Sequence, residues 1–390
     1  MKVTGIIAEY NPFHNGHKYQ IDKARETGTD YIIVAMSGNF TQRGEPAIFN
    51  KYTRTEMALL NGADLVLELP VMYAVSDAGR FARGGVSLLN SLGVVNELSF
   101  GIEEGCEKLC FTLSDFLSNP PQEYSAKIRE ELKKGNSYPV SRMIALSDYF
   151  DVRQLELISG SNMILALEYL QAIKSTGSSI LPLPLKRIGA AYNDASLDND
   201  GFSSASGIRE VIRNRNSQQL NHNVPPNILG LMENSLPVYS DDFSSLLHYK
   251  LVTEDDFTGY LNIDQSFSDR VNSLKLQYTD INSFVDLLKT KNITRTSVMR
   301  LLSHILLNMT SVAPVDVPYA RILGFRKESE PLLSAIKQSS SIPMISKLAD
   351  ADMCSCLKAD IQAADIYNSV VTNITGNLQK NEYTNGIVII

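Results

Sequence analysis

Apolar, strand-like runs alternate with amphipathic helical stretches over the first hundred residues, and this pattern constrains the fold more than any other feature. Val3 to Ala8 reads as a buried strand ending at Tyr10-Asn11-Pro12, and Lys18 to Glu26 reads as a helix. Tyr31 to Met36 is a second apolar run, closed by Ser37-Gly38-Asn39. Lys51 to Asn61 is helical, with Met57, Leu59 and Leu60 facing inward and Gly62 as its stop. Leu65 to Leu69 makes a third strand stopped by Pro70, Ser76 to Leu92 a helix, and Leu98 to Gly101 a fourth strand. The alternation predicts an α/β fold with a Rossmann-like, doubly wound parallel sheet. In such sheets ligands bind beyond the carboxyl ends of the strands.

Further along, helices are predicted over Phe111 to Leu117, Tyr124 to Lys134 and Met163 to Lys174. Ile180 to Leu183 and Ile188 to Tyr192 read as short extended pieces added to the same sheet. A polar loop, Asn193 to Ser203, leads into a helix beginning near Ser206. Arg215 to Pro226 is polar, Asn-rich and ends in Pro225-Pro226, the composition of a linker. The remainder, to about Asn373, is helical by periodicity, with Leu301, Leu302, Ile305 and Leu306 forming one apolar stripe. Asn385-Gly386 then marks a turn before a final apolar strand, Ile387 to Ile390. These breaks predict an N-terminal α/β domain over residues 1–215 and a mostly α-helical C-terminal domain over residues 216–390. No internal repeat is visible.

With 390 residues, 44% of them hydrophobic, the chain has ample material for a core, which excludes disorder as its main state. No apolar run approaches the length of a bilayer span. The N-terminus lacks a basic start followed by a long apolar stretch, so secretion is not expected and a cytoplasmic protein without a membrane partner is; no protein partner is predicted. Cys106, Cys110, Cys354 and Cys356 form two close pairs, neither spaced as Cys-x-x-Cys and neither near a histidine. They read as free thiols in a reducing compartment, and no resident metal site is expected. The net charge of −7 argues mildly against nucleic-acid binding, although a local basic patch outweighs a global total within a Debye length.

Two of the five histidines stand in His14-Asn15-Gly16-His17, after the first strand and at the mouth of the first helix. A helix N-terminus offers free N–H groups and a partial positive charge, so this position suits a phosphate. Gly16 carries no Cβ to block its approach. Two imidazoles three residues apart can donate to phosphate oxygens as negative charge develops there. Lys18 and Arg25 add positive charge nearby. The rival readings are a pair of capping or surface histidines, and a metal chelate for which no third ligand is close in sequence.

The arrangement resembles the nucleotidyltransferase superfamily, whose His-x-Gly-His signature binds ATP phosphates on a Rossmann-like sheet. Ser204-Ala205-Ser206-Gly207-Ile208-Arg209 stands where that superfamily has a second, serine-rich signature. Ser206 is expected to cap the helix and Arg209 to reach the β- and γ-phosphates. Two segments are more specific: Gly5-Ile6-Ile7-Ala8-Glu9-Tyr10-Asn11-Pro12-Phe13-His14-Asn15-Gly16-His17 and Met36-Ser37-Gly38-Asn39-Phe40-Thr41-Gln42-Arg43-Gly44-Glu45-Pro46. Both resemble the bacterial tRNA(Met) cytidine acetate ligases, as do Asp64 to Pro70, Phe81 to Gly84, Phe100-Gly101, Lys289-Thr290-Lys291 and Thr294-Arg295-Thr296. The likeness runs over nearly the whole chain.

The resemblance implies an enzyme that uses ATP and Mg2+ to convert acetate to acetyl-adenylate. The acetyl group would pass to N4 of the wobble cytidine of elongator tRNA(Met), giving N4-acetylcytidine. It implies an ATP site made of Ile7, Ala8, Glu9, Tyr10, Asn11, Pro12, Phe13, His14, Asn15, Gly16, His17, Lys18, Tyr19 and Gln20, joined by Gly101, Asn162, Arg187, Ile188, Ser206 and Arg209. His14, His17 and Lys18 are the expected catalytic residues. The sequence departs from the family pattern at Tyr192-Asn193-Asp194, where a histidine is usual in place of Asn193. It departs also at Ser161, where an asparagine is usual, and at Ser206, which replaces a threonine. In the second half, Lys289, Lys291 and Arg295 are the expected tRNA contacts, with a solvated helix start as the alternative. Arg43, Arg80 and Arg83 form a candidate second basic rim. Two other functions compete: a small-molecule adenylyltransferase similar to the pantetheine-phosphate and nicotinamide-mononucleotide enzymes, and a non-enzymatic RNA-binding protein with a vestigial nucleotide site. The extra 175 or so residues favour a macromolecular substrate over a small one.

Overall fold

The computed structural model describes residues 1–158, 160–188, 201–215, 217–310 and 312–390. One sheet contains β1 (Val3–Ala8), β2 (Tyr31–Ser37), β3 (Leu65–Leu69), β4 (Glu97–Ile102), β5 (Leu181–Lys186), β6 (Ala320–Phe325), β7 (Met344–Ile345) and β8 (Val388–Ile389). Its order is β5-β4-β1-β2-β3-β6-β7, with β8 also paired to β6. The first five strands are parallel throughout. From β1 the chain steps outward through β2 and β3, then crosses back to lay β4 and β5 on β1's other side. The winding therefore reverses between β1 and β4, the place where open α/β sheets bind ligands. Helices Asn15–Glu26, Lys51–Leu60 and Ala78–Ser91 make the first three crossovers. Because helices cover both faces, Ile32, Ile33, Val34, Ala35 and Met36 of β2 are all buried, as the unbroken apolar run requires.

Two expectations fail in the second half. Helix was expected through to about Asn373, but Ala320–Phe325 is β6, antiparallel to β3 in the same sheet as the first five strands. Its six residues carry too short an apolar pattern to be separated from helix by periodicity alone. The expected linker is also packed. It contains a 3-10 turn at Ser217–Leu220, and Leu220, Asn223 and Val224 are buried beside the start of the first helix. Of the expected extended piece Ile188 to Tyr192 only Ile188 lies within the described residues, and Asn193 lies outside them. The four cysteines are free thiols. No helix among the described residues is long and apolar enough to cross a membrane.

The helices Ser244–Thr253, Gln265–Leu274, Ile281–Leu288 and Arg295–Leu306 bury a core that includes Leu247, Leu251, Val271, Phe284, Leu302 and Ile305. This bundle grips the loop that follows β2. Ser303 Oγ donates to the Gly44 carbonyl, and Arg300 Nη1 donates to the Gln42 carbonyl at 3.4 Å. Gly44 sits at φ +82°, where a Cβ would lie 2.6 Å from the Arg300 nitrogen, so only glycine fits this crossing. A second tie runs through buried charge. Lys51 Nζ lies 2.7 Å from Glu68 of β3 and 2.6 Å from Glu382, while Arg321 of β6 lies 3.1 Å from Glu68 and 2.5 Å from Glu382. The C-terminal segment is thereby fastened to the sheet.

Candidate active site

A cavity opens at the carboxyl ends of β1, β4 and β5, at the reversal of the winding. Its walls are Ile7 to Asn11 from β1 and its end, Phe100 and Gly101 from β4, and Leu185 to Ile188 from β5 and its end. Three helix starts reach it, through His14, Gly16 and His17, through Asn162, and through Ser204 to Ser206 with Arg209. Converging helix N-termini present N–H donors to an anion.

The two histidines have fixed roles. His14 caps its helix, its Nδ1 accepting from Gly16 N at 3.0 Å, and His17 Nδ1 accepts from His14 N at 3.2 Å. Both Nδ1 lone pairs are thus taken by backbone N–H groups. This assigns the Nε2–H tautomer to each ring, with Nε2–H left as the free donor. Burial is the main cause holding both rings neutral, helped for His14 by Arg187 and Arg209, and for His17 by His14 and Arg187. It takes His14 down to about 3 and His17 well below its ordinary value. The rings stack on each other, and Tyr10 packs edge-on to His17 at 4.7 Å. Capping does not use up the rings, since each keeps its Nε2–H as a donor. Gly16 is also needed for the cap: a Cβ there would lie 2.9 Å from His14 Cε1.

Arg209 Nη1 donates to Asn11 O at 2.7 Å and Nη2 to Ser206 Oγ at 3.1 Å, which sets its guanidinium beside the cavity. The helix cap expected of Ser206 belongs to Ser204, whose Oγ accepts from Gly207 N at 3.1 Å. Ser206 lies inside the first turn, where its hydroxyl serves Arg209. Arg187 Nη1 donates to Asn162 Oδ1 at 3.3 Å. Asn162 Nδ2 in turn donates to Glu103 Oε1 at 2.8 Å, so Glu103 fixes which way the amide points. Gly101 makes room for Arg187, since a Cβ would lie 2.9 Å from its Cγ. Behind the cavity, buried Arg54 gathers the carbonyls of Glu9, Ser37, Gly38 and Phe49, and so locks the ends of β1 and β2 together.

Most of the residues expected at the site line this cavity: Ile7, Ala8, Glu9, Tyr10, Asn11, His14, Gly16, His17, Tyr19, Gln20, Gly101, Asn162, Arg187, Ile188, Ser206 and Arg209. Pro12, Phe13, Asn15 and Lys18 are outside the lining. Phe13 is buried beneath His17, and Asn15 Nδ2 ties the helix start to the carbonyls of Gly201 and His222. Lys18 Nζ is 2.8 Å from both oxygens of Asp22 on an exposed face, and Arg25 pairs with Asp64 at the far end of its helix. Of the arginine rim, Arg43 lines the cavity, whereas Arg83 pairs with Asp316 at 3.0 Å. Thr41, Gln42, Glu45, Phe81, Leu165, Tyr169 and Phe202 also line it and were not read from the sequence as site residues, although the first three fall within the Met36 to Pro46 motif. Lys289, Lys291 and Arg295 are exposed and apart from the cavity. Asp286 lies 3.0 Å from Lys289 and 2.8 Å from Arg295, so a run free of carboxylates in sequence is not so in space. Among the described residues no group of three or more His, Cys, Asp or Glu is arranged to hold a metal.

A family model described as HIGH Nucleotidyl Transferase matches residues 1–382. An Acetivibrio thermocellus protein named tRNA(Met) cytidine acetate ligase is 37% identical over 418 residues, covering 100% of both chains. One of the same name from Clostridium kluyveri is 38% identical over 399 residues, covering 97% of each. Among solved structures, apo Thermotoga maritima TmcAL matches with a TM-score of 0.93 at 30% identity, covering 100% of both chains. The crystal structure of that protein bound with alpha-thio ATP matches with a TM-score of 0.90 at 29% identity, again over 100% of both chains.

Proposed function

We infer the activity from family membership: the chain belongs to the HIGH nucleotidyl transferases and, within them, to the tRNA(Met) cytidine acetate ligases. It is an ATP-dependent ligase of tRNA modification. In the reaction we assign to it, an acetate oxygen attacks the α-phosphorus of ATP, giving acetyl-adenylate and pyrophosphate. The acetyl group then moves to N4 of the wobble cytidine of elongator tRNA(Met), releasing AMP. A tRNA substrate is met in the cytoplasm, and there we assign the enzyme. The match of the relatives over the whole chain disfavours a small-molecule adenylyltransferase, whose resemblance is confined to the histidine motif.

One observation carries the reading: His14 and His17 present two neutral Nε2–H donors into a cavity that three helix starts surround. As negative charge builds on the phosphate oxygens, neutral donors strengthen their hydrogen bonds without first binding the ground state as a full cation would. Arg209 and Arg187 supply the fixed positive charge for the remaining phosphates. Magnesium would enter on the ATP phosphates, where it neutralises charge. Lys289, Lys291 and Arg295 stand on the turn that opens the helix holding Arg300, and Arg300 supports the cavity loop, so tRNA gripped there lies one helix away from the chemistry.

The test is pyrophosphate exchange into ATP without tRNA. Exchange that requires acetate supports the reading. Exchange with another carboxylate or with a nucleotide, and none with acetate, replaces it.

A further inference from the structure

Glu9 is a carboxylate that ATP binding does not explain. It follows β1 directly and lines the cavity. Its backbone carbonyl accepts from Arg54 Nη1 at 2.5 Å, and its Oε1 accepts from Gln42 N at 2.8 Å. Gln42 is itself held, its Nε2 donating to Ser76 O at 3.1 Å and its carbonyl accepting from Arg300. The carboxylate is therefore fixed at both ends of the residue. Oε2 accepts no hydrogen bond among the described residues, and it is not one of the buried orphaned atoms, so it is reached from the cavity. A carboxylate can accept about four hydrogen bonds, and one kept only for structure would use both oxygens. A negative charge in a cavity built for phosphate also opposes the nucleotide.

The second half of the reaction has a need that the histidines and arginines of the cavity leave unmet. When cytidine N4 attacks the acetyl carbonyl, a C–N bond forms and the nitrogen becomes cationic. Collapse of the intermediate breaks the bond between the carbonyl carbon and the phosphate oxygen, and AMP leaves with that electron pair. One proton must then leave N4. His14 and His17 cannot accept it, because their Nδ1 lone pairs are taken and their Nε2 atoms carry protons. Arg209 and Arg187 are cations already. Resting on the assigned acetyl transfer, we propose that Glu9 is the general base of the transfer step, its Oε2 taking the proton from N4.

The surroundings suit this task. Burial raises the Glu9 carboxyl above its ordinary value, while the Gln42 N–H, Arg209 and Arg43 restrain the rise and Glu45 adds to it. A carboxylate of raised proton affinity is a stronger base than a solvated one. The charged groups around it are Arg209 from the helix Ala205–Arg213, Arg43 and Glu45 from the loop after β2, and Arg54 from the helix Lys51–Leu60.

The experiment compares full-length wild type with Glu9→Gln, Glu9→Asp and Glu45→Gln in two separate readouts. These are acetate-dependent pyrophosphate exchange, and single-turnover transfer from preformed acetyl-adenylate to tRNA across a pH series. Removing a general base typically slows its step ~10²–10⁴-fold. Glu9→Gln is expected to slow transfer by at least the lower of these factors and to slow exchange far less. Wild-type transfer is expected to fall as pH drops through the carboxyl's titration. That acid limb should vanish in Glu9→Gln and return, at lower rate, in Glu9→Asp. The proposal is overturned if Glu9→Gln slows exchange and transfer equally, if it transfers normally, or if Glu45→Gln is the variant that loses the limb. Absence of exchange in wild type would instead overturn the assigned function on which the proposal rests.

Discussion

The imidazoles of His14 and His17 lie stacked, 3.7 Å between ring centroids and 26° between planes, each accepting a backbone N–H of its own helix start on Nδ1. The pair is thereby a cap and a donor set at once. Replacing either ring by alanine removes both functions. His14→Asn separates them, because asparagine is itself a good N-cap. His14→Asn is expected to unfold close to wild type while exchange falls ~10²–10³-fold, the usual loss for one donor to a developing oxyanion. His14→Ala should lose the same rate and a further ~0.5–2 kcal/mol of stability. Denaturant melts and exchange rates on the two variants check this. Equal losses in ATP affinity and in rate would show that the rings hold only the ground state.

Neutral histidines make a second prediction. Both rings have folded-state values below the ordinary 6.5, His14 at about 3, chiefly through burial. The unfolded chain therefore binds protons that the folded chain refuses. The stability contributed by the neutral rings is complete above 6.5 and is lost progressively as pH falls from there toward 3. Adenylate formation should show no histidine-like titration between about pH 6 and 8. A rate profile with an inflection near the ordinary imidazole value, absent in the variants, would mean that one ring works as a cation or a base.

The fold's first half was legible because its strands are apolar and closed by turn residues, as in Tyr31 to Met36 followed by Ser37-Gly38. His14 and His17 were legible because two histidines around a glycine at a strand-to-helix junction have few other uses. Other parts were not. β6 is a short strand that pairs with β3 from far along the chain, which periodicity cannot register. Glu103 acts only through Asn162, and no local pattern marks a residue whose role is to orient another. Ser204 and Ser206 are both sensible caps by type, and backbone geometry alone decides between them. Lys18 follows His17 in the sequence, but its ion-pair partner Asp22 stands one helical turn on, which the motif itself does not mark.

The basic turn makes a third prediction. Replacing Lys289, Lys291 and Arg295 together by alanine should weaken tRNA binding and flatten its salt dependence, by up to ~0.9 in log–log slope for each duplex phosphate no longer neutralised. Because Asp286 neutralises two of the three, Asp286→Asn should act in the opposite sense and tighten binding. Exchange without tRNA serves as the control. Unchanged affinity and slope in the triple variant would leave the turn as a solvated helix start.

A fourth concerns the C-terminal segment. Glu382 is buried against Lys51 and Arg321, and its removal leaves two buried cations with Glu68 as their remaining close carboxylate partner. Breaking a buried pair from one side typically costs ~3–5 kcal/mol. Glu382→Ala is expected to lose stability on that scale in urea unfolding. A loss under about 1 kcal/mol, the level of an exposed ion pair, would show that the cluster is solvated.

One chain is expected both to activate acetate and to place it on the wobble cytidine of elongator tRNA(Met). The direct measurement incubates the purified protein with ATP, labelled acetate and tRNA from a strain lacking it, then digests the tRNA and weighs its nucleosides. Labelled N4-acetylcytidine at the wobble position of tRNA(Met), dependent on ATP and lost with His17→Ala, is expected. Label that stays in acetyl-adenylate, or acetylcytidine that appears elsewhere or without ATP, would contradict it.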